Sequence, residues 1–255
     1  MKIKILGDKG DPLLLIHGWG VNSGIWVSLV DQLKKFFKIY IIDLPGMGKS
    51  SIISPYTLEN LAKEIRVNIP VDKCNILGWS LGGQVAIQLA IKNPQFVEKL
   101  ILMSTTPCFV ERHDWPYGVK KQFFNKFEID AKNKIDDTLM KFFLIQTKDI
   151  VNAKDTMIFL KRNFIQSAQH KTHGMQNALG VLKNTDLRKE IKKINKKSLI
   201  IIGDKDRLTC PDASLWLNKN IRTSTLVKIQ GANHMPFITH TKEVVDSMKE
   251  FINDN

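Results

Sequence analysis

The run Gly78-Trp79-Ser80-Leu81-Gly82 constrains this chain more than any other stretch. An apolar run, Cys74 to Leu77, leads into it and a helical one, Gly83 to Lys92, leaves it. A serine carried by a strand into a tight turn and followed at once by a helix is held in a strained backbone conformation. Glycines flank it because side chains there would collide with the neighbouring strand and helix. Such a turn exposes Ser80 Oγ above the sheet and sets the backbone N–H of Leu81 at the helix N-terminus, where partial positive charge favours a developing oxyanion. The same five-residue pattern also arises as an incidental turn, so its meaning depends on partners elsewhere in the chain.

With 255 residues, 43% of them hydrophobic, the chain can build one full core with an insertion. Met1 to Lys9 is short and mixed, and Leu13 to Ile16 is too brief an apolar run for a signal peptide or a membrane span. A soluble, cytoplasmic, monomeric protein without a membrane partner is therefore expected. Cys74, Cys108 and Cys210 are odd in number and far apart, which indicates neither a disulfide frame nor a thiolate zinc site. They read as reduced, small apolar fillers. The net charge of +13 would suit an anionic partner, but the excess is mostly lysine in a sequence also rich in Ile and Asn. Compositional bias with solvated lysine accounts for most of it, and no nucleic-acid partner is expected.

From the N-terminus, strands are expected at Leu13 to Ile16, Ile39 to Ile42, Cys74 to Leu77 and Val97 to Met103. Helices are expected at Ile25 to Phe36, Thr57 (as N-cap) to Asn68, and Gly83 to Lys92 with Val85, Ala86, Leu89 and Ala90 on one face. Strand and helix in alternation mark a mostly parallel sheet flanked by helices, an α/β architecture. Asp43-Leu44-Pro45-Gly46-Met47-Gly48-Lys49-Ser50 ends in Gly-Lys-Ser, but a phosphate-cradling loop needs glycine where Asp43 stands. From Pro107 to about Thr185 the pattern is helical without strands, and this stretch carries a net charge of +5. It reads as a helical cap, residues 107–185, inserted between core segments 1–106 and 186–255, with a minority of its aromatics lining an acyl pocket. Strands resume at Ser198 to Ile202 and Leu226 to Ile229, and a last helix covers about Thr241 to Ile252. The basic cluster Arg188 to Lys197 reads as a solvated helix and linker.

The elbow and its surroundings resemble the α/β-hydrolase fold. There a His-Gly pair after an early strand, here in His17-Gly18-Trp19-Gly20, turns the backbone so that a following N–H becomes a second oxyanion donor. The resemblance assigns that donor to Trp19, paired with Leu81. Chain order in this fold is nucleophile, acid, base, each after a strand, and Ser80, Asp206 and His234 satisfy it. Asp204 is the rival acid, and Asp206 is preferred because the fold's Gly-x-x-Asp turn places the acid at its fourth position. His17 is the rival base but precedes the serine; His113, His170, His173 and His240 have no paired partner. No metal, nucleotide or flavin cofactor is implied.

More narrowly, Leu-Ile-His-Gly-Trp-Gly (15–20), Asp-Leu-Pro-Gly-Met-Gly-Lys-Ser (43–50), Leu-Gly-Trp-Ser-Leu-Gly-Gly (77–83), Thr-Pro-Cys-Phe (106–109), Trp115-Pro116 and Phe-Phe-Leu-Ile-Gln-Thr (142–147) run through most of the chain. Together they resemble the pimeloyl-acyl-carrier-protein methyl ester carboxylesterases of biotin synthesis. The resemblance implies hydrolysis of that methyl ester, with Trp19, Ser80, Leu81, Phe142, Phe143, Leu144, Ile145, Gln146 and His234 contacting substrate. It also offers Lys141, Lys154, Lys161 and Arg162 as docking positions for acidic acyl-carrier protein. A generalist carboxylesterase or a carbon–carbon-bond hydrolase would carry the same triad. A non-catalytic binding protein on this fold would have no use for it.

Overall fold

A computed structural model describes residues 1–150, 152–166 and 172–254. His170 lies outside these residues. Among the described residues seven strands form one sheet in the order β1-β3-β2-β4-β5-β6-β7. They are β1 (Lys2–Leu6), β2 (Pro12–Ile16), β3 (Lys38–Asp43), β4 (Cys74–Trp79), β5 (Val97–Met103), β6 (Ser198–Gly203) and β7 (Ser224–Ile229). All neighbours pair in parallel except β1, which runs antiparallel to β3 from Lys2 opposite Asp43 to Leu6 opposite Ile39.

The central strands are buried on both faces, as in a parallel sheet covered by helices, so they show as unbroken apolar runs: every residue of β4 and of β6 is buried. The edges behave otherwise. Strand β1 is mostly exposed and β7 keeps only Ile229 fully inside, so their polar residues hide the strand from a search for apolar runs. For that reason β1 has no counterpart among the expected strands, and β7 begins two residues before the expected Leu226.

Helices α1 (Val27–Leu33), α2 (Leu58–Asn68) and α3 (Leu81–Lys92) follow β2, β3 and β4. The expected single helix at Ile25 to Phe36 is divided, because Asn22 accepts a hydrogen bond from Gly24 N and starts a tighter turn over Ser23–Trp26. Thr57 caps α2 by accepting from Asn60 N. Helix α3 is buried at every residue from Leu81 to Ala90, so it has no solvent face: it lies between α2 and the sheet, and the one-sided expectation understates its burial.

Between β5 and β6 the chain is helical: α4 (Lys121–Asn133), α5 (Ile135–Thr147), α6 (Ala153–Leu160) continuing as a π turn over Lys161–Ile165, and α7 (Thr172–Asn184). A Cβ on Gly174 would stand 2.0 Å from the Gly46 carbonyl oxygen, so α7 meets the loop after β3 backbone to backbone. The stretch expected as a solvated helix and linker holds only a short 3-10 turn, Ile191–Lys193, and is anchored by buried Ile191 and Ile194. Helices α8 (Pro211–Asn220), α9 (Pro236–Thr239) and α10 (Thr241–Asn253) complete the chain. Among the described residues no helix is long and apolar enough to cross a membrane.

Candidate active site

The loops that leave the carboxyl ends of β2, β4, β6 and β7 carry Trp19, Ser80, Asp206 and His234. Ligand sites of open α/β sheets collect at this edge, where parallel strands deliver successive loops side by side.

Ser80 sits between β4 and α3 with φ 56° and ψ −117°, a conformation that an ordinary residue keeps only when its surroundings enforce it. Three hydrogen bonds do so here. Ser80 N donates to the Met103 carbonyl (3.0 Å), and the Ser80 carbonyl accepts from Gly83 N (2.9 Å) and from Thr105 Oγ1 (2.6 Å). The flanking glycines are needed for space. A Cβ on Gly78 would lie 2.3 Å from the Gly82 carbonyl oxygen, and one on Gly82 would lie 2.2 Å from that of Ile16. No side chain caps α3, so the first N–H groups of this helix, Leu81 among them, form an N-terminus suited to negative charge. The loop after β2 passes close by, with the Cβ position of Gly18 only 3.1 Å from Ser80 Cβ.

Asp206 and His234 meet although 28 residues separate them: His234 Nδ1 lies 2.8 Å from Asp206 Oδ2, and both side chains are almost wholly buried. The carboxylate accepts three further hydrogen bonds, at Oδ1 from Leu208 N (2.8 Å) and Thr209 N (3.0 Å) and at Oδ2 from Thr209 Oγ1 (2.6 Å). Burial alone would raise its pKa. The charge and hydrogen bond of His234 and the bonds from Thr209 outweigh that and hold it below the usual carboxylate range. With Asp206 accepting at Nδ1, Nε2 of His234 is the nitrogen left for proton transfer.

The rivals are occupied elsewhere. Asp204 Oδ1 accepts from Gly231 N (2.7 Å) and ties the β6 turn to the β7 turn. His17 accepts from Leu44 N at Nε2 (2.9 Å) and donates from Nδ1 to the Gly18 carbonyl (2.7 Å). It is neutral, and burial pushes its pKa below the ordinary histidine value. His113 and His173 are exposed, and His240 shares a hydrogen bond with Thr239.

Beside Ser80 lies a cavity of about 180 Å³, walled by Trp19, Phe109, Val119, Phe123, Phe124, Phe127, Phe142, Ile145, Leu179, Leu182 and Leu208. Trp19 meets Phe127 and Phe142 edge-on, each at 5.2 Å between ring centroids. The expected contact run on α5 is divided by the helix. Phe142 and Ile145 line the cavity, whereas Phe143 is buried against Phe164 and Leu144 borders a separate outer hollow with Met157 and Ile158. Gln146 is buried and bonds back to the Phe142 carbonyl (3.3 Å). Successive helical residues turn by about 100°, so five in a row cannot share a face. The α4 aromatics, spaced at 123, 124 and 127, were visible in the sequence as an apolar helix face, but nothing there said which way it points. Thr209, three residues after Asp206, is a further contact that sequence reading passed over.

Lys141, Lys154, Lys161 and Arg162 are exposed on α5, α6 and the π turn. Lys154 and Lys161 border the outer hollow together with Lys148. Cys74, Cys108 and Cys210 are free thiols. Among the described residues no group of three or more His, Cys, Asp or Glu could hold a metal ion.

A mostly parallel sheet whose strand ends bring together a strained serine, a buried histidine–aspartate pair and an open helix N-terminus is that of an α/β hydrolase. The family model for the alpha/beta hydrolase fold matches residues 11–241. The chain is 35% identical over 258 residues to the pimeloyl-acyl-carrier-protein methyl ester esterase of Xylella fastidiosa, covering 99% of this chain and 98% of that one. It is 34% identical over 253 residues to the enzyme of the same name from Wigglesworthia glossinidia brevipalpis, covering 98% and 96%. The chain belongs to the family of these esterases. Among solved structures, an esterase from Exiguobacterium antarcticum superposes with a TM-score of 0.89 over 99% of this chain and 95% of the other at 23% identity, which shows the shared fold.

Proposed function

We propose that this protein hydrolyses the methyl ester of pimeloyl-acyl-carrier protein, releasing methanol and the free carboxylate end of the chain, as in biotin synthesis. The observation that carries the reading is Ser80 opening into an apolar cavity one residue after Trp79, whose indole bonds the carbonyl of the His234 that is paired with buried Asp206. Ser80 Oγ attacks the ester carbonyl while His234 Nε2 takes its proton, and Asp206 orients the imidazole and stabilises its charged form. The N–H groups of Trp19 and Leu81 face the oxyanion. Collapse of the tetrahedral adduct expels methoxide, which leaves as methanol with the proton held on His234. Water then attacks the acyl-enzyme by the same route, returning Ser80 and the free acid.

In this reading residues 107–185 are a cap over a core made of 1–106 and 186–255. The cavity, walled mostly by cap residues with five phenylalanines among them, takes the methylene chain, each buried methylene contributing about 0.8 kcal/mol. Lys141, Lys154, Lys161 and Arg162 attract the acidic carrier, and the outer hollow supports this, since exposed Leu144 and Ile158 there are bordered by Lys148, Lys154 and Lys161.

Turnover of the methyl ester on its carrier is to be compared with that of p-nitrophenyl butyrate in wild type and in Ser80→Ala. The expected result is a large preference for the carrier-linked ester and a loss of at least about 10³-fold in the variant on both. A Ser80→Ala enzyme that still turns over would remove the nucleophile assignment. Equal kcat/KM on the two esters would make the protein a generalist esterase.

A further inference from the structure

We propose that Trp79 positions His234 relative to Ser80, an inference that rests on the triad reading above. Trp79 ends β4 immediately before Ser80 and is 1% exposed. Its indole Nε1 donates to the backbone carbonyl of His234 over 2.8 Å, and its ring centroid lies 5.4 Å from that of the imidazole. On another side, Cε3 and Cζ3 of the indole stand 3.0 and 3.1 Å from the Cβ position of Gly18, so the ring also fills the space against the loop that carries Trp19. Phe237 at 5.0 Å and Trp26 at 6.2 Å close round it edge-on. One rigid side chain thus touches the loops after β2 and β7 and is itself joined to the elbow.

The geometry needs such a tie. In the sheet, β5 and β6 lie between β4, which carries Ser80, and β7, which carries His234. The bond from Asp206 to Nδ1 sets the rotation of the imidazole but comes from β6, not from β4. Without a link from β4 itself, the separation of Nε2 from Oγ would follow the twist of an edge strand, and proton transfer is sensitive to errors of a fraction of an ångström. The N–H of Trp79 supplies that link to the His234 main chain, while its ring holds the imidazole from the side.

The test uses Trp79→Phe, which keeps an apolar ring and removes the N–H, and Trp79→His. The imidazole superposes on the five-membered half of indole, so His Nε2–H can stand where the indole N–H stood. Both variants are assayed on p-nitrophenyl butyrate, with active sites counted by a fluorophosphonate probe and the Nδ1 proton of His234 followed by its downfield NMR resonance. In Trp79→Phe, kcat is expected to fall about ten- to a hundred-fold, with KM within about twofold and the resonance displaced. In Trp79→His both are expected to return, kcat to at least about a third of wild type. A wild-type kcat in Trp79→Phe, or no recovery in Trp79→His, overturns the proposal. If Trp79→Phe does not fold, Trp79→His decides alone, and a kcat below that third overturns it. Ser80→Ala run alongside separates the two failures: turnover there sinks the triad reading, whereas a dead Ser80→Ala with fully active Trp79→Phe sinks only the role of Trp79.

Discussion

The indole N–H of Trp19 donates to the backbone carbonyl of Met175 over 2.8 Å, joining the loop after β2 to the first turn of α7. The residue proposed as an oxyanion donor through its backbone therefore also holds α7 through its side chain. Trp19→Phe keeps the ring in the cavity and the backbone N–H in place but leaves a buried carbonyl without this partner. A loss of about 1–3 kcal/mol is expected in urea unfolding, with fluorophosphonate labelling of Ser80 retained. An unchanged unfolding midpoint would mean that the bond contributes nothing.

Thr209 bonds the Oδ2 atom of Asp206 that also meets His234. Thr209→Val keeps the shape and deletes the hydroxyl donor, so the Asp206 pKa should rise toward its ordinary value. A carboxylate depressed on folding stabilises the protein above its unfolded value of 3.8 and loses that contribution as pH falls through the folded value. The variant should then begin acid unfolding at higher pH than wild type and be less stable at neutral pH by about 1.5–3 kcal/mol, whereas Thr209→Ser should match wild type. Superimposable acid-unfolding curves for Val and wild type would refute the role.

His17 is buried, neutral and bonded at both ring nitrogens. Because its folded pKa lies below 6.5, the unfolded chain binds a proton first as the solution is acidified. Its contribution is complete above pH 6.5 and declines below it, by at most about 1.4 kcal/mol per pH unit. His17→Gln, which can still accept from Leu44 N, should flatten that part of the stability curve. Equal slopes in the two proteins would contradict this.

Combined reversal of Lys141, Lys154 and Lys161 to Glu should raise KM for the carrier-linked ester and reduce its dependence on salt, as expected when exposed charges steer association. On p-nitrophenyl butyrate kcat/KM should stay within about twofold of wild type. Equal losses on both substrates would place the effect on the cavity and dismiss carrier docking.

The central strands were legible because a parallel strand buried on both faces leaves an unbroken apolar run; Leu13 to Ile16 and Leu100 to Met103 read that way in both sequence and structure. Strand β1 was not, since Lys2 and Lys4 alternate with Ile3 and Ile5 on a sheet edge that water reaches. Ser80, Asp206 and His234 are legible because each follows a strand in the chain order the fold requires, and the side-by-side strand ends bring Asp206 and His234 to 2.8 Å. A contiguous motif such as 142–146 on α5 carries no mark of which side of its helix faces inward.

The sequence by itself determined the order of the strands from β2 to β7, the elbow at Ser80 and the residues able to serve it, since these depend on local sterics and on apolar runs. Tertiary structure alone decided that Asp204 ties a turn while Asp206 meets His234, that Phe142 and Ile145 face the cavity while Leu144 faces outward, and that Trp79 reaches the carbonyl of His234. Each of these depends on a contact between segments far apart in the chain, whose direction is set by packing and not by the residues on either side.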